Sequence, residues 1–170
     1  ARARELVEQA ASGDAEAFGE LVEQHYDMMY RVAYTWLGNR EEAQDTAQDV
    51  CVKLASVLRT FRGEAAFSSW LYRITLNHIR DMKRKTGRRN EVSDKALETM
   101  AGGENPETQA QEGELWQKVR ELPEKQCDAV LLVYARGLSH AEAAHIMGCR
   151  ENTVSWHIHE AKKRLQEVLS

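Results

Sequence analysis

The sequence predicts an all-α chain of two small helical domains joined by an acidic linker. Only two prolines occur in 170 residues, and apolar side chains recur at the three- and four-residue spacing typical of amphipathic helices. The acidic side chains concentrate in the middle, where residues 91–114 carry seven acids and one base. We expect domains over residues 1–89 and 111–170, with a mobile linker over residues 90–110.

Composition and cysteine content predict a soluble cytoplasmic protein. Hydrophobic residues at 42% and charged residues at 29% fit a globular chain. No apolar run approaches the roughly 20 residues that span a bilayer, and no signal peptide is evident, so no membrane insertion is expected. The widely spaced Cys51, Cys127 and Cys149 are odd in number, which predicts reduced, buried thiols.

Four helices are predicted in the first domain. A short helix through Leu6 and Val7 ends at Ser12-Gly13-Asp14, and a long one follows from Ala15 to Gly38. The third runs from about Arg40 to Leu58, and the fourth starts near Phe67. The third is expected to bury one face, formed by Ala43, Ala47, Val50, Leu54 and Val57.

The other face of the third helix is polar and mixed in charge. It presents Glu42, Asp45, Gln48, Asp49 and Lys53. Such a face is either solvated or a docking surface for a charged helical partner.

The stretch from Phe61 to Lys85 combines features that favour nucleic acid. Its aromatic residues offer flat surfaces on which an unpaired base can stack: Phe61, Phe67, Trp70 and Tyr72. One helix face is shared by Arg73, Asn77, Arg80 and Arg84. Residues 73–89 contain seven basic side chains and one acidic side chain. The alternative is an amphipathic helix with core aromatics and a solvated basic end.

The second domain is predicted to contain a helix-turn-helix. One helix ends at Pro123 and the next runs from Glu124 to Arg136, before Gly137. Ser139 and Glu142 form a capping box that starts a short helix. After Gly148, a last helix over about Glu151–Leu169 is expected to bury Val154, Ile158, Ala161, Leu165 and Val168.

The outward residues of this last helix are placed to contact a major groove: Asn152, Thr153, Ser155, Trp156, His159 and Lys163. His157 and His159 diverge on a helix, so no metal site is predicted. No arrangement of Ser, His, Cys or paired carboxylates resembles a catalytic centre, and no glycine-rich phosphate loop is present. We expect no enzymatic activity and no cofactor.

The chain resembles bacterial sigma factors of the extracytoplasmic-function type along nearly its whole length. Three segments carry the resemblance, in family order: AFGELVEQHYDMMYRVAYTWLGNREEAQDTAQDV, FRGEAAFSSWLYRITLNHIRDMKRK and LPEKQCDAVLLVYARGLSHAEAAHIMGCRENTVSWHIHEAKKRL. The middle segment is the most specific, because many regulators share a helix-turn-helix.

The resemblance implies that the first domain is sigma domain two, which reads the promoter −10 element and stabilises the melted non-template strand. The Phe61–Ala66 loop, with Arg62, Gly63 and Glu64, looks like the family's pocket for a flipped base. Asn77 would support opening, and Trp70 matches an aromatic that is core, strand-contacting or both. The face around Asp45, Gln48, Asp49 and Lys53 is similar to the family's docking surface for the clamp helices of core RNA polymerase.

The second domain would be sigma domain four. It would place its last helix in the −35 major groove of duplex promoter DNA and bind the polymerase flap. The linker would thread toward the RNA exit path, and an anti-sigma factor is the expected regulatory partner.

The recognition helix departs from the family pattern. Ser155, His157 and Glu160 stand where basic residues are common, and Arg150 stands where a small cap is expected. Fewer phosphate contacts weaken binding. We therefore expect His157→Arg or Glu160→Arg to strengthen −35 binding, and histidines there raise a pH-sensitive contact as a hypothesis.

Two other functions compete with promoter recognition. A sigma-like mimic would sequester an anti-sigma factor without binding promoters, but family mimics usually carry a receiver domain, which this sequence lacks. A duplex-binding repressor would use the helix-turn-helix, yet it leaves the aromatic loop and the Asp45–Asp49 face unexplained. Binding to melted −10 strand separates these functions.

Overall fold

The computed structural model describes residues 2–87 and 106–169, with side chains over residues 3–85 and 113–169. Over those residues it contains helices and turns without strands, which confirms the all-α prediction. The chain divides into two compact units, Ala1–Met82 and Lys83–Ser170. Residues 90–105 of the predicted linker lie outside the described residues, and the exact domain limits stay a prediction.

The first unit consists of helices with well-formed ends. Its elements are α1 (Arg2–Ala11), α2 (Ala15–Leu37), α3 (Arg40–Val57), a 3₁₀ turn (Leu58–Thr60) and α4 (Phe67–Gly87). The Asp14 carboxylate accepts hydrogen bonds from the backbone N–H groups of the first turn of α2, and the Asn39 side chain does the same for α3. Gly38 ends α2 with a φ of 71°, a left-handed conformation that favours glycine.

The core of this unit lies where α1, α2 and α3 pack together and α4 adds Leu71. The predicted inner face of α3 is confirmed, because its members are fully buried except for the half-buried Val57: Ala43, Ala47, Val50 and Leu54. α3 is thereby fixed with its polar residues outward, which positions the candidate docking surface.

The second unit contains α5 (Pro106–Arg120), α6 (Glu124–Val130), a π-helical segment (Leu131–Ala135), α7 (His140–Met147) and α8 (Glu151–Leu169). The predicted capping box is present: the Ser139 hydroxyl accepts from the Glu142 N–H at 3.1 Å, and the Glu142 carboxylate accepts from the Ser139 N–H at 3.1 Å. These hydrogen bonds lower the pKa of Glu142. Since α7 packs on α8 across the Gly148 turn, the helix-turn-helix is confirmed.

Three details of the second unit differ from the prediction. α5 begins at Pro106, where a proline at the first helical position costs no hydrogen bond, so it starts inside the expected linker. The helix after Pro123 changes to π-helical form at Leu131, with Arg136 N–H bonded to the Leu131 carbonyl at 2.9 Å. At the end of α8, Val168 is exposed and Leu165 is half-buried, although both were expected to be buried.

Within the described residues, no helix is long and apolar enough to cross a bilayer.

Candidate functional site

The outer face of α3 is acidic and accessible. Asp45, Gln48 and Asp49 are exposed, whereas Thr46 and Ala47 between them are fully buried. The predicted docking surface therefore reduces to the exposed residues and to Lys53, which is half-buried at its edge.

An exposed valine that the sequence analysis missed lies in this surface. Val52 is 74% exposed, the largest exposed fraction among the large hydrophobic residues of the described chain. It follows Gln48 by four residues and Asp49 by three, so it shares their helix face. The sequence does contain a sign of this exposure: Val52 is apolar but does not fall at the three- and four-residue spacing of the buried residues of α3. We call Asp45, Gln48, Asp49 and Val52 the α3 surface.

Two residues of α3, one of them in the α3 surface, approach side chains of α4. The Asp49 carboxylate lies 3.5 Å from Nε2 of the half-buried His78 on α4. One turn away, the buried Thr46 hydroxyl donates to the Met82 sulfur at 3.2 Å. The Thr46 hydrogen bond joins α3 to α4, whereas the Asp49 carboxylate lies near the His78 ring without a hydrogen bond to Nε2.

Three predicted stacking residues pack against one another. Phe61 lies with its ring centre 5.5 Å from that of Phe67 and 5.0 Å from that of Trp70, while Phe67 and Trp70 are 5.7 Å apart. His25 of α2 meets Phe67 edge-on at 5.0 Å. All are half-buried. They form a cluster of mutually contacting aromatic rings, each of them partly buried and partly exposed.

The prediction for Tyr72 is wrong. Its side chain is only 7% exposed, because α4 turns it inward beside Leu71. Tyr72 therefore offers no surface to a base.

The loop before α4 exposes Arg62, Gly63 and Glu64 beside this cluster. Gly63 has a φ of +76°, and a Cβ at this position would meet no atom within 4 Å. Glycine is thus required by the backbone conformation and not by space.

The predicted basic stripe on α4 is outward-facing. Arg73, Asn77 and Arg84 are exposed and Arg80 is half-buried. Arg80 Nη1 donates a hydrogen bond to Asn77 Oδ1 at 3.2 Å. With its oxygen engaged by Arg80, Asn77 presents its amide nitrogen outward, which is a hydrogen-bond donor.

Five exposed residues of α8 share one helix face, lying 0, 3, 4, 7 and 11 positions after the first of them: Asn152, Ser155, Trp156, His159 and Lys163. Trp156 is 56% exposed although tryptophan is usually well buried. Thr153, also predicted to face outward, is half-buried at the margin. We call these five residues the α8 stripe.

His157 does not belong to the α8 stripe. It is 9% exposed and lies on the inner side of α8, a helix that packs on α6. Burial, reinforced by the positive charge of Lys125, lowers its pKa from the ordinary value of 6.5. The premise of the His157→Arg expectation, that this side chain faces outward, is therefore wrong, and an arginine at this position would be buried.

Glu160 neutralises the cation of the α8 stripe. Its carboxylate lies 3.5 Å from Lys163 Nζ, with the two side chains 32% and 59% exposed. The pair places a negative charge beside the one lysine of the α8 stripe.

The α8 stripe also has a partner on α7. Nδ1 of His140 lies 3.0 Å from the Ser155 hydroxyl oxygen. No pattern in the sequence predicts this contact, which joins residues on two helices.

The cysteines only partly match expectation. All are free, but Cys51 and Cys149 are half-buried and only Cys127 is buried. Burial raises the pKa of Cys127 to about 12, so this thiol stays protonated. Among the described residues, no group of three or more His, Cys, Asp or Glu side chains is arranged to hold a metal ion.

Comparisons with known proteins place both units. The family model described as Sigma-70 region 2 matches residues 21–89, and that described as Sigma-70, region 4 matches residues 112–165. The chain is 31% identical to the RNA polymerase sigma-H factor of Pseudomonas aeruginosa, over 98% of this chain and 93% of that protein. It is also 31% identical to the ECF RNA polymerase sigma factor SigW of Bacillus subtilis, over 98% and 96%.

A solved structure has the same fold. CnrH, determined in complex with the cytosolic domain of CnrY, aligns with a TM-score of 0.68 and 26% identity. The alignment covers 98% of this chain and 96% of CnrH.

Proposed function

The chain belongs to the extracytoplasmic-function group of the sigma-70 family of sigma factors, and on that premise we propose how its surfaces direct transcription initiation. The chain binds core RNA polymerase in the cytoplasm, recognises promoter −10 and −35 elements and helps to open the DNA. The chemistry of RNA synthesis belongs to the polymerase, and we assign this chain no catalytic residue.

The observation that carries this proposal is the pairing of two unlike surfaces on adjacent helices of one unit. The α3 surface is acidic with an exposed valine, which suits a basic helical protein partner. The outward residues Arg73, Asn77, Arg80 and Arg84 of α4, which we call the α4 stripe, are mostly basic and follow the aromatic cluster along the helix, which suits melted DNA. A repressor that binds only duplex DNA has no use for either surface.

In this assignment the polymerase clamp helices bind Asp45, Gln48, Asp49 and Val52, with Lys53 at the edge. The non-template strand crosses the aromatic cluster and the loop at Arg62–Glu64, where Phe61 and Trp70 support an extruded base. The phosphates follow Arg73, Arg80 and Arg84, and Asn77 donates to a base acceptor.

In the second unit the α8 stripe enters the −35 major groove, where its polar residues meet base edges and Lys163, paired with Glu160, faces the backbone. The polymerase flap is its protein partner. An anti-sigma factor would block the same surfaces.

The role of Val52 provides a test that does not depend on knowing the promoter. A charge at this position should disrupt an apolar anchor worth about 1.5–3 kcal/mol, and so weaken core polymerase binding by about 10-fold or more. We would measure the affinity of labelled core polymerase for the wild type, Val52→Asp and the control Gln24→Asp, which adds the same charge to an exposed position of α2. Equal affinities for all three proteins would exclude the α3 surface as the docking site.

The second candidate function is that of a sigma-like mimic that sequesters an anti-sigma factor, and one observation favours it. The Glu160–Lys163 pair reduces the positive charge of the recognition helix, as expected of a protein that no longer binds −35 DNA. A mimic would still bind an anti-sigma factor but would yield no promoter-specific transcript.

A further inference from the structure

The contact between α7 and the α8 stripe has a chemical consequence. Ser155 is exposed in the middle of the stripe, and its hydroxyl oxygen lies 3.0 Å from Nδ1 of the half-buried His140. The two residues are 15 positions apart in the sequence. This bond crosses the turn of the helix-turn-helix and reaches the surface placed to face DNA.

A serine hydroxyl without a partner rotates and can either donate or accept a hydrogen bond. A bond to His140 removes that freedom. If the hydroxyl donates to the ring, its oxygen is left as an acceptor for a base amino group. If the ring N–H donates, the hydroxyl proton is left for a base acceptor. Because major-groove edges differ in their donors and acceptors, the two arrangements select different bases.

We propose that His140 is a positioning residue that orients the Ser155 hydroxyl and thereby sets the base preference at one base pair of the −35 element. The inference rests on the proposed function, since it requires the α8 stripe to lie in the groove. Ser155 then contributes sequence discrimination where a cation at this position would contribute affinity without it.

The test uses holoenzyme assembled from core polymerase and the full chain. Transcription from a promoter library randomised across the upstream element gives the base preference at each position. The variants are Ser155→Ala, His140→Ala and His140→Asn, with His145→Ala on the exposed side of the same helix as control. Thermal melting of each variant verifies that it folds.

We expect Ser155→Ala and His140→Ala to reduce the preference at the same single base pair by about 2- to 10-fold, as for the loss of one neutral hydrogen bond. His140→Asn should retain most of the preference, because its amide can replace the ring nitrogen, and His145→Ala should retain all of it. Preferences elsewhere in the element should not change.

The inference is overturned if Ser155→Ala changes the preference while His140→Ala does not, or if neither changes it. In both cases −35 recognition by the wild type still stands. Absence of any preference in the wild type, in a holoenzyme that transcribes, would remove −35 recognition and this inference together. A loss with His140→Ala that His140→Asn does not restore, accompanied by a lower melting temperature, would assign His140 to stability alone.

Discussion

The ion pair between Glu160 and Lys163 offers a quantitative test of the −35 contact. Glu160→Gln keeps nearly the same shape and removes the negative charge that lies 3.5 Å from the lysine. Lys163 would then be available to a phosphate without first leaving its partner. Glu160→Arg should act in the same direction and add a second cation.

The expected size follows from the exposure of the pair. With side chains 59% and 32% exposed, solvent screens the attraction. A surface pair of this kind contributes about 0.2–1 kcal/mol. Releasing it should therefore strengthen −35 binding by about 1.4- to 5-fold. One added phosphate contact should also steepen the slope of log K against log salt by about 0.9.

Fluorescence anisotropy of holoenzyme on a promoter duplex, titrated between about 50 and 200 mM salt, measures both quantities. Lys163→Gln and the double variant complete a cycle. If Glu160 acts through Lys163, the gain from Glu160→Gln disappears in the Lys163→Gln background. A gain that persists there, or a salt slope identical to that of the wild type, refutes the reasoning.

Three further predictions follow from the structure. Burial lowers the pKa of His157 below 6.5, so the unfolded chain binds a proton there more readily than the folded chain does. The stability of the second unit should therefore fall as pH drops through and below 6.5. Denaturant titrations at several pH values should show that the stability of His157→Gln depends less on pH. Asn77→Asp should keep its bond with Arg80 but lose the outward donor, and permanganate footprinting of unpaired thymines should show less promoter opening; opening equal to wild type would remove Asn77 from that role. Gly63→Ala should strain a left-handed backbone by about 1–2 kcal/mol and reduce binding to melted −10 strand, whereas unchanged stability and binding would show that the loop tolerates another conformation.

Local features of the fold were predictable because neighbouring residues determine them. The capping box at Ser139–Glu142 and the helix end at Gly38 depend on residues only a few positions apart. The buried face of α3 follows from one period maintained over four turns.

Features that depend on which element covers a side chain were not predictable. Tyr72 and His157 are amphipathic residues that suit either face of a helix, and only packing against α6 explains why His157 is inside. Val52 was overlooked because a helix face is classified by most of its residues, and the other residues on this face are polar. The His140–Ser155 bond joins residues brought together only by the folded helix-turn-helix.

The sequence predicted which helix faces point outward in the candidate site, but not the side-chain contacts within them. The sequence placed the α4 stripe and the α8 stripe on outward faces, as the structure has them. It did not indicate that the aromatic residues support one another, nor that Asn77 and Lys163 are each engaged by a neighbour three residues away. Such pairings depend on side-chain conformations that periodicity does not specify.

The most direct test of the central claim is run-off transcription by core RNA polymerase on genomic fragments, with and without this chain. We predict specific transcripts that appear only with the chain and are lost with Val52→Asp and Asn77→Asp but not with Gln24→Asp. If no fragment yields a transcript while the same core polymerase is active with another sigma factor, the chain does not initiate transcription. Its function would then be to sequester an anti-sigma factor.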